Sequence, residues 1–207
     1  MNKSPPNPWS LVFFERRTCV LLATLLFCLA TFSACQTAPK LVEQRLNLQL
    51  SPASFGESIS LTQHLKVERH GKIDELDAAL EIDNEQLNIV GLAFGQRVLS
   101  IHYDGKSMQT WRHFMLPKEL KEKDVLEDIQ LTLWPEQALR NALPQDWTLL
   151  EQTLEQGHDR LLYHGEQLII RIHYSEQKRW AGSVSLENLI YQYRLNIQSA
   201  SNENSTP

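Results

Sequence analysis

Cysteine is scarce in this sequence, and the positions of the few copies matter more than their number. There are three in 207 residues. Cys19 and Cys28 lie inside an apolar stretch near the amino terminus, and Cys35 closes it. The remaining body carries no thiol. That excludes structural disulfides and cysteine-ligated zinc within the body, removes any cysteine nucleophile, and suits an oxidising compartment where a stray thiol is a liability. Clustered positive charge is missing too. The chain has a formal net charge of −5, and its Lys and Arg residues are scattered among acids, a poor match for a phosphate backbone, so we expect no nucleic-acid partner. There is no Gly-x-Ser-x-Gly elbow, phosphate loop, dinucleotide fingerprint or HExxH helix, which leaves nucleophilic, nucleotide and zinc chemistry without a foothold. The expectation is a protein that is not an enzyme and holds neither cofactor nor metal.

A long membrane-spanning run is also missing. Arg16 and Arg17 precede an apolar run from Cys19 to Phe32, shorter than the roughly 20 residues a helix needs to cross the hydrocarbon core. Positive charge followed by a short apolar run is the layout of a secretory signal. Directly after it, Phe32-Ser33-Ala34-Cys35 resembles the bacterial lipobox, with Phe32 in place of the usual Leu. Small side chains before the cysteine let the signal peptidase reach the bond between Ala34 and Cys35, and the Cys35 sulfur carries the lipid. Residues 1–34 are therefore expected to be a signal peptide, and 35–44 a lipidated tether. Removing the signal takes away Lys3, Arg16, Arg17 and Glu15, so the net charge moves from −5 to −7. By resemblance to lipoprotein sorting signals, Gln36 directs the chain to the outer membrane, facing the periplasm, and membrane association runs through lipidated Cys35.

What is present in the body is strand periodicity. Leu46, Leu48 and Leu50 are spaced by two, and Leu61, Leu65 and Val67 alternate with polar residues up to a turn at Arg69-His70-Gly71-Lys72. Leu76, Ala78, Leu80 and Ile82 share a face, and Asp83-Asn84-Glu85 closes that strand. A further strand begins at Leu87 and Ile89, is interrupted at Gly91 and Gly95, and continues through Leu99, Ile101 and Tyr103 to a hairpin signal at Asp104-Gly105. Met108, Thr110 and Arg112 follow, ending near Leu116-Pro117.

The period then changes. Val125, Leu126, Ile129 and Leu133 fall at helical spacing over 124–133, with Asp124 and Glu127 as expected caps. Pro135 breaks that helix and starts a second one carrying Ala138, Leu139, Ala142 and Leu143. Strands return around 147–150, at 160–163, at Leu168, Ile170, Ile172 and Tyr174, and from Leu189 through Tyr191, Tyr193 and Leu195 to Ile197. Residues 199–207 are small and polar, and read as a disordered tail.

One domain over 45–198 is thus expected, of the α+β class and mainly antiparallel: a strongly curved sheet, an unclosed half-barrel, wrapped around a short central helical insertion. Strands that follow one another through short turns exclude a doubly wound nucleotide fold. Three segments carry a family resemblance: Arg97 to Gly105, Asp128 to Pro135, and Tyr193-Arg194-Leu195. Together they resemble the uncharacterised lipoprotein family DUF3261, short Gram-negative lipoproteins often encoded in aryl polyene gene clusters. The order of strands, helices and strands is also similar in architecture to the LolA and LolB lipoprotein carriers.

His102 and His173 sit on the polar faces of their strands and read as solvated residues, and Asp104 as a turn former. Trp111, Leu131, Leu133 and Trp134 are the candidates for lining an apolar ligand site. An alternating face looks the same whether it lines a cavity or a filled core. Three functions therefore stay in play. The first is a carrier of an acyl or polyene lipid, or of lipoprotein acyl chains, which that architecture implies. The others are a non-enzymatic assembly factor docking a protein, and a hydrolase of envelope lipids or glycans.

Overall fold

The structure is a computed structural model that describes residues 45–201. The expected signal and lipobox, the tether 35–44, and residues 202–207 lie outside the described residues. Among the described residues no helix is long and apolar enough to cross a membrane.

Ten strands form one sheet: β1 Ile59–Arg69, β2 Lys72–Ile82, β3 Leu87–Ala93, β4 Gln96–Tyr103, β5 Met108–Arg112, β6 Trp147–Thr153, β7 His158–His164, β8 Gln167–Tyr174, β9 Ser183–Asn188 and β10 Tyr193–Ser201. Their order is β5-β4-β3-β2-β1-β10-β9-β8-β7-β6, and every pairing is antiparallel. Strands β5 and β6 are neighbours in the chain yet form the two opposite edges. The chain crosses between them through α1, Glu122–Leu133, and α2, Glu136–Ala142.

Register explains the core. Ile82, Leu87, Tyr103 and Met108 face each other across β2 to β5, and Leu80, Ile89 and Ile101 form the next row. Side chains alternate across a strand, so these rows make one face apolar, and α1 covers it. The geometry also requires curvature. Leu126 of α1 borders Tyr103 on β4, while the Leu131 carbonyl accepts from Arg160 on β7. Seven strand spacings of ~4.8 Å separate β4 from β7, about 34 Å in a flat sheet. The twelve-residue α1 is only ~18 Å long. A helix that short reaches both strands only if the sheet curls around it, so the unclosed half-barrel with a central helical insertion is the observed form.

Several local readings change. The alternation of Leu46, Leu48 and Leu50 is real, with Leu48 and Leu50 buried, but no strand forms there. Their backbone bonds the side chains of α1 instead, as described below. Gly91 and Gly95 do not interrupt one strand. Gly91 sits at a register shift between β3 and β4, and Phe94-Gly95 is the turn that separates them. β5 stops at Arg112, ahead of Leu116-Pro117. Neither Asp124 nor Glu127 caps α1, whose N-cap is Lys121 with no side-chain bond.

Of the strand expected over 189–197, only the part from Tyr193 forms, and 189–192 is a turn. Asn188 accepts from the amides of Ile190 and Tyr191, turning the chain so that β9 precedes the turn and β10 follows it. β10 continues through Ser201, paired with Leu61, so the tail expected from 199 cannot begin before 202. The expected start of α2 holds: Pro135 forces Trp134 into extended backbone, ψ 147°, ending α1.

Candidate functional site

The apolar concave face is closed by two pieces, α1 and the extended segment 45–51, and the segment is fastened to the helix by polar groups. The Leu50 amide donates to Gln130 Oε1 at 3.2 Å, and Gln130 Nε2 donates back to the Leu50 carbonyl at 3.0 Å. The Leu48 amide donates to Glu127 Oε2 at 3.4 Å. Arg45 Nη1 donates to Asp128 Oδ1 at 2.7 Å and lies 3.5 Å from Glu127. Side chains thereby supply the partners that a neighbouring strand would otherwise supply. Burial alone would lower the Arg45 pKa, but Asp128 beside it carries the guanidinium above its ordinary value. Burial pushes the Glu127 carboxyl up, against the opposing pull of Arg45.

The far end of α1 is held by the sheet. A helix leaves its last carbonyls without intrahelical partners and carries partial negative charge there. The Leu131 carbonyl accepts from buried Arg160 of β7. Thr132 accepts from the Tyr174 hydroxyl of β8 at 2.7 Å, and Leu133 from Arg179 Nε at 2.6 Å. Glu151 of β6 neutralises Arg160 at 2.7 Å, and His158 stacks on Tyr174 at 4.3 Å. Burial holds His158 below its usual pKa, with Glu151 opposing. Arg160, Tyr174 and Arg179 thus hold the helix end, while Glu151 Oε2 and His158 Nδ1 are buried without a hydrogen-bond partner.

The four candidate lining residues do not all converge: Leu131, Leu133 and Trp134 belong to one buried core cluster, and Trp111 lies outside it. Leu131 and Leu133 are buried, and Trp134 is 0 % exposed, packed 5.3 Å from the Phe55 ring, with its indole Nε1 donating to Ser54 Oγ at 2.9 Å. Trp111 is 41 % exposed on β5. It pairs with Ser100, between the core residues Leu99 and Ile101, and therefore points to the other face, where Arg97 stacks on it at 4.5 Å. Cys35 and Ala34 lie outside the described residues.

Open space at the concave face is small. A cavity of about 60 Å³ between segment 45–51, α1 and the sheet is bordered by Leu48, Tyr103, Met108 and Leu126. The Tyr103 hydroxyl is buried there without a hydrogen-bond partner. The interior of the half-barrel is thus a filled core in this conformation. Tyr103 was visible in the sequence only as one more apolar-face residue, and the roles of Arg45, Asp128 and Gln130 left no periodic signal, because each acts through a partner about 65 to 83 positions away.

His102 and His173 lie on the outer face in cross-strand pairs, with Asn88 at 2.8 Å and Asp159 at 2.7 Å. Among the described residues no three His, Cys, Asp or Glu side chains are grouped to hold a metal. Asp104 accepts from the amides of Ser107 and Lys106 and from the Ser107 hydroxyl, which lowers its pKa to about 2. Its partners are those of a turn.

A family model described as "Protein of unknown function (DUF3261)" matches residues 60–201. No curated protein matches the sequence. Among solved structures the chain is similar to the LolA superfamily protein NE2245 from Nitrosomonas europaea, with 9% identity over 75% of this chain and 90% of that one, TM-score 0.36. It is also similar to a DUF1329 family protein from Desulfovibrio piger ATCC 29098, with 10% identity over 78% and 92% of the two chains, TM-score 0.33.

Proposed function

This chain belongs to the family DUF3261, and we propose that it is a non-enzymatic lipoprotein that binds or hands over an apolar chain, such as an acyl or aryl polyene lipid. It is anchored through Cys35 to the outer membrane and faces the periplasm. One observation carries the reading: the apolar face of the sheet is covered by a helix and an extended segment, α1 and 45–51, rather than by strands. Among the described residues no strand closes the half-barrel, and α1 enters from one sheet edge and leaves to the other. Lifting α1 and segment 45–51 bares the rows Ile82-Leu87-Tyr103-Met108 and Leu80-Ile89-Ile101. A chain laid on those rows gains about 0.8 kcal/mol per buried methylene, and no catalytic residue is required. The cavity of about 60 Å³ is too small for such a chain, so loading requires the cover to move.

The body from Gln36 onward, purified from cells that make the lipid and analysed by mass spectrometry, should carry bound chain. Absence of lipid, together with no uptake when lipid is offered, overturns the carrier. Labelled palmitate tests the anchor separately: Cys35→Ser abolishes incorporation, and unchanged labelling refutes the lipobox.

A second reading has its own support. A filled core with exposed aromatic side chains at Phe94 and Phe114 suits an assembly factor that docks a protein without carrying anything.

A further inference from the structure

Five of the seven large hydrophobic side chains exposed among the described residues lie in turns or strand ends on one side of the sheet: Ile73, Phe94, Phe114, Met115 and Leu189. Register establishes that they share one side. Arg69 pairs with both Lys72 and Tyr193, which places the β1–β2 and β9–β10 turns together. The β3–β4 turn follows the Ala93–Gln96 pair on the same side, and the His113 amide donates to the Val98 carbonyl, which brings the loop after β5 beside them. At the opposite end the tips are Asp83 to Gln86, Asp104 to Ser107, Leu154 to Gly157 and 175–182, most of whose side chains are charged or polar.

Folding does not account for this asymmetry. Phe94 is 97 % exposed and stands at φ +52°, a conformation that Gly or Asn adopts at less cost. Phe114 is 88 % exposed. Two further observations identify what covers them. The cleft of about 520 Å³ between the β1–β2 and β9–β10 turns is lined by Arg69, Lys72, Ile73 and Leu189 among others. Arg69 Nε is buried there without a partner, and neither Arg69 nor Lys72 forms an ion pair among the described residues. Glu68 and Glu187 also line the cleft but face Arg194, at 4.0 and 3.0 Å, which leaves Arg69 and Lys72 as cations beside the apolar Ile73 and Leu189, an arrangement that complements phosphate headgroups above acyl chains. In addition, Arg45, where the described body begins, lies over the rings of Tyr191 and Tyr193 at 5.0 and 5.4 Å, against the β9–β10 turn. The ten residues back to Cys35 reach at most about 35 Å, so an anchor at Cys35 draws this end toward the bilayer.

We propose that this end is a membrane-docking rim. It seats on the phospholipid surface with Phe94, Phe114 and Met115 at the acyl boundary and Arg69 and Lys72 against phosphates. The rim rests on the anchored reading of the protein and not on its carrying a chain.

The thiol-free body makes the test direct. The lipidated protein, carrying a single fluorophore on Gln96→Cys at the rim or on Asn84→Cys at the opposite end, is reconstituted into phosphatidylethanolamine and phosphatidylglycerol vesicles containing nitroxide lipids. Quenching at position 96 should exceed that at 84 by about threefold or more, since a docked rim lies within roughly 5–10 Å of the acyl boundary. Phe94→Ser with Phe114→Ser should erase the difference while the protein still floats with the vesicles. Equal quenching at the two positions in a protein that floats overturns the rim alone. A protein that does not float overturns the anchor and the rim with it. Cross-linking of Gln96→Cys in cells to a protein, without lipid quenching at that position, overturns the membrane as occupant in favour of a protein partner.

Discussion

The Tyr193 hydroxyl, at the first residue of β10, donates to Asp128 Oδ2 at 2.7 Å, joining the sheet to the middle of α1. Arg45 meets the same carboxylate, so one buried group ties the helix, the extended segment and the sheet together. Removing one member of a buried ion pair strands the other, at a cost of about 3–5 kcal/mol. Asp128→Ala should therefore lower unfolding stability in urea by that amount. Tyr193→Phe, which removes one bond to a charged acceptor, should cost about 1.5–3 kcal/mol. If Asp128→Ala costs under about 1 kcal/mol, the cover is not fastened through this carboxylate.

Trp134 and Trp111 should respond oppositely to substitution. Trp134 is wholly enclosed and bonded through its indole nitrogen, so Trp134→Ala is expected to cost about 3–5 kcal/mol. Trp111 meets Arg97 at a half-exposed edge, an interaction of about 0.5–1 kcal/mol. Urea titration of the two variants checks this contrast, and similar losses would put Trp111 inside the core.

The sequence reading placed these two residues in one lining set, and the reason it failed also shows where such reading works. Alternation reports which side chains share a strand face, and it correctly grouped Leu76, Ala78, Leu80 and Ile82. It does not report which strand is an edge, nor to which face Trp111 turns, because both depend on a register set by distant pairing. The 189–197 error has the same origin. Leu189, Tyr191 and Tyr193 keep the period through a turn that contains neither Gly nor Pro, and the turn is made by the Asn188 side chain. The segment at 46–50 shows the converse. Its alternation reports burial, while its backbone partners belong to a helix.

Acid should weaken the β4–β5 turn through Asp104. Its pKa in the folded chain is about 2, below the ordinary carboxylate value of 3.8, because the amides of Ser107 and Lys106 and the Ser107 hydroxyl favour the charged form. A lowered pKa means that the unfolded chain binds the proton first. The contribution of Asp104 is therefore present above the ordinary value and is lost as pH falls from near 4 toward 2. Asp104→Asn keeps the acceptor oxygen but not the titration. The drop in urea midpoint between neutral pH and the acid limb should be smaller in this variant than in the parent.

Two turn glycines separate strain from collision. Gly165 has φ +57° with nothing within 4 Å of an added Cβ, so Gly165→Ala meets only the left-handed penalty of about 1–2 kcal/mol. At Gly157, φ +74°, the added carbon would lie 1.8 Å from the Tyr174 carbonyl oxygen, and backbone cannot swing aside as a side chain can. Gly157→Ala should cost at least about 3 kcal/mol. Equal thermal midpoints for the two variants would contradict the packing of the β6–β7 turn against the end of β8.

Tyr103 connects stability to the proposed carriage of a chain. Its hydroxyl is buried without a partner beside the small cavity bordered by Leu48, Met108 and Leu126. An unsatisfied buried polar group costs about 1–3 kcal/mol. That cost exists only while α1 and segment 45–51 are in place, so it biases the protein toward lifting its cover. Tyr103→Phe keeps the ring and removes the penalty. The variant should be as stable as the parent or more so by up to about 1 kcal/mol, and it should carry less lipid when purified from cells, because the closed form gains relative to the open one. A loss of stability beyond about 1 kcal/mol would mean that the hydroxyl is bonded in the closed form, and unchanged lipid content would separate Tyr103 from loading.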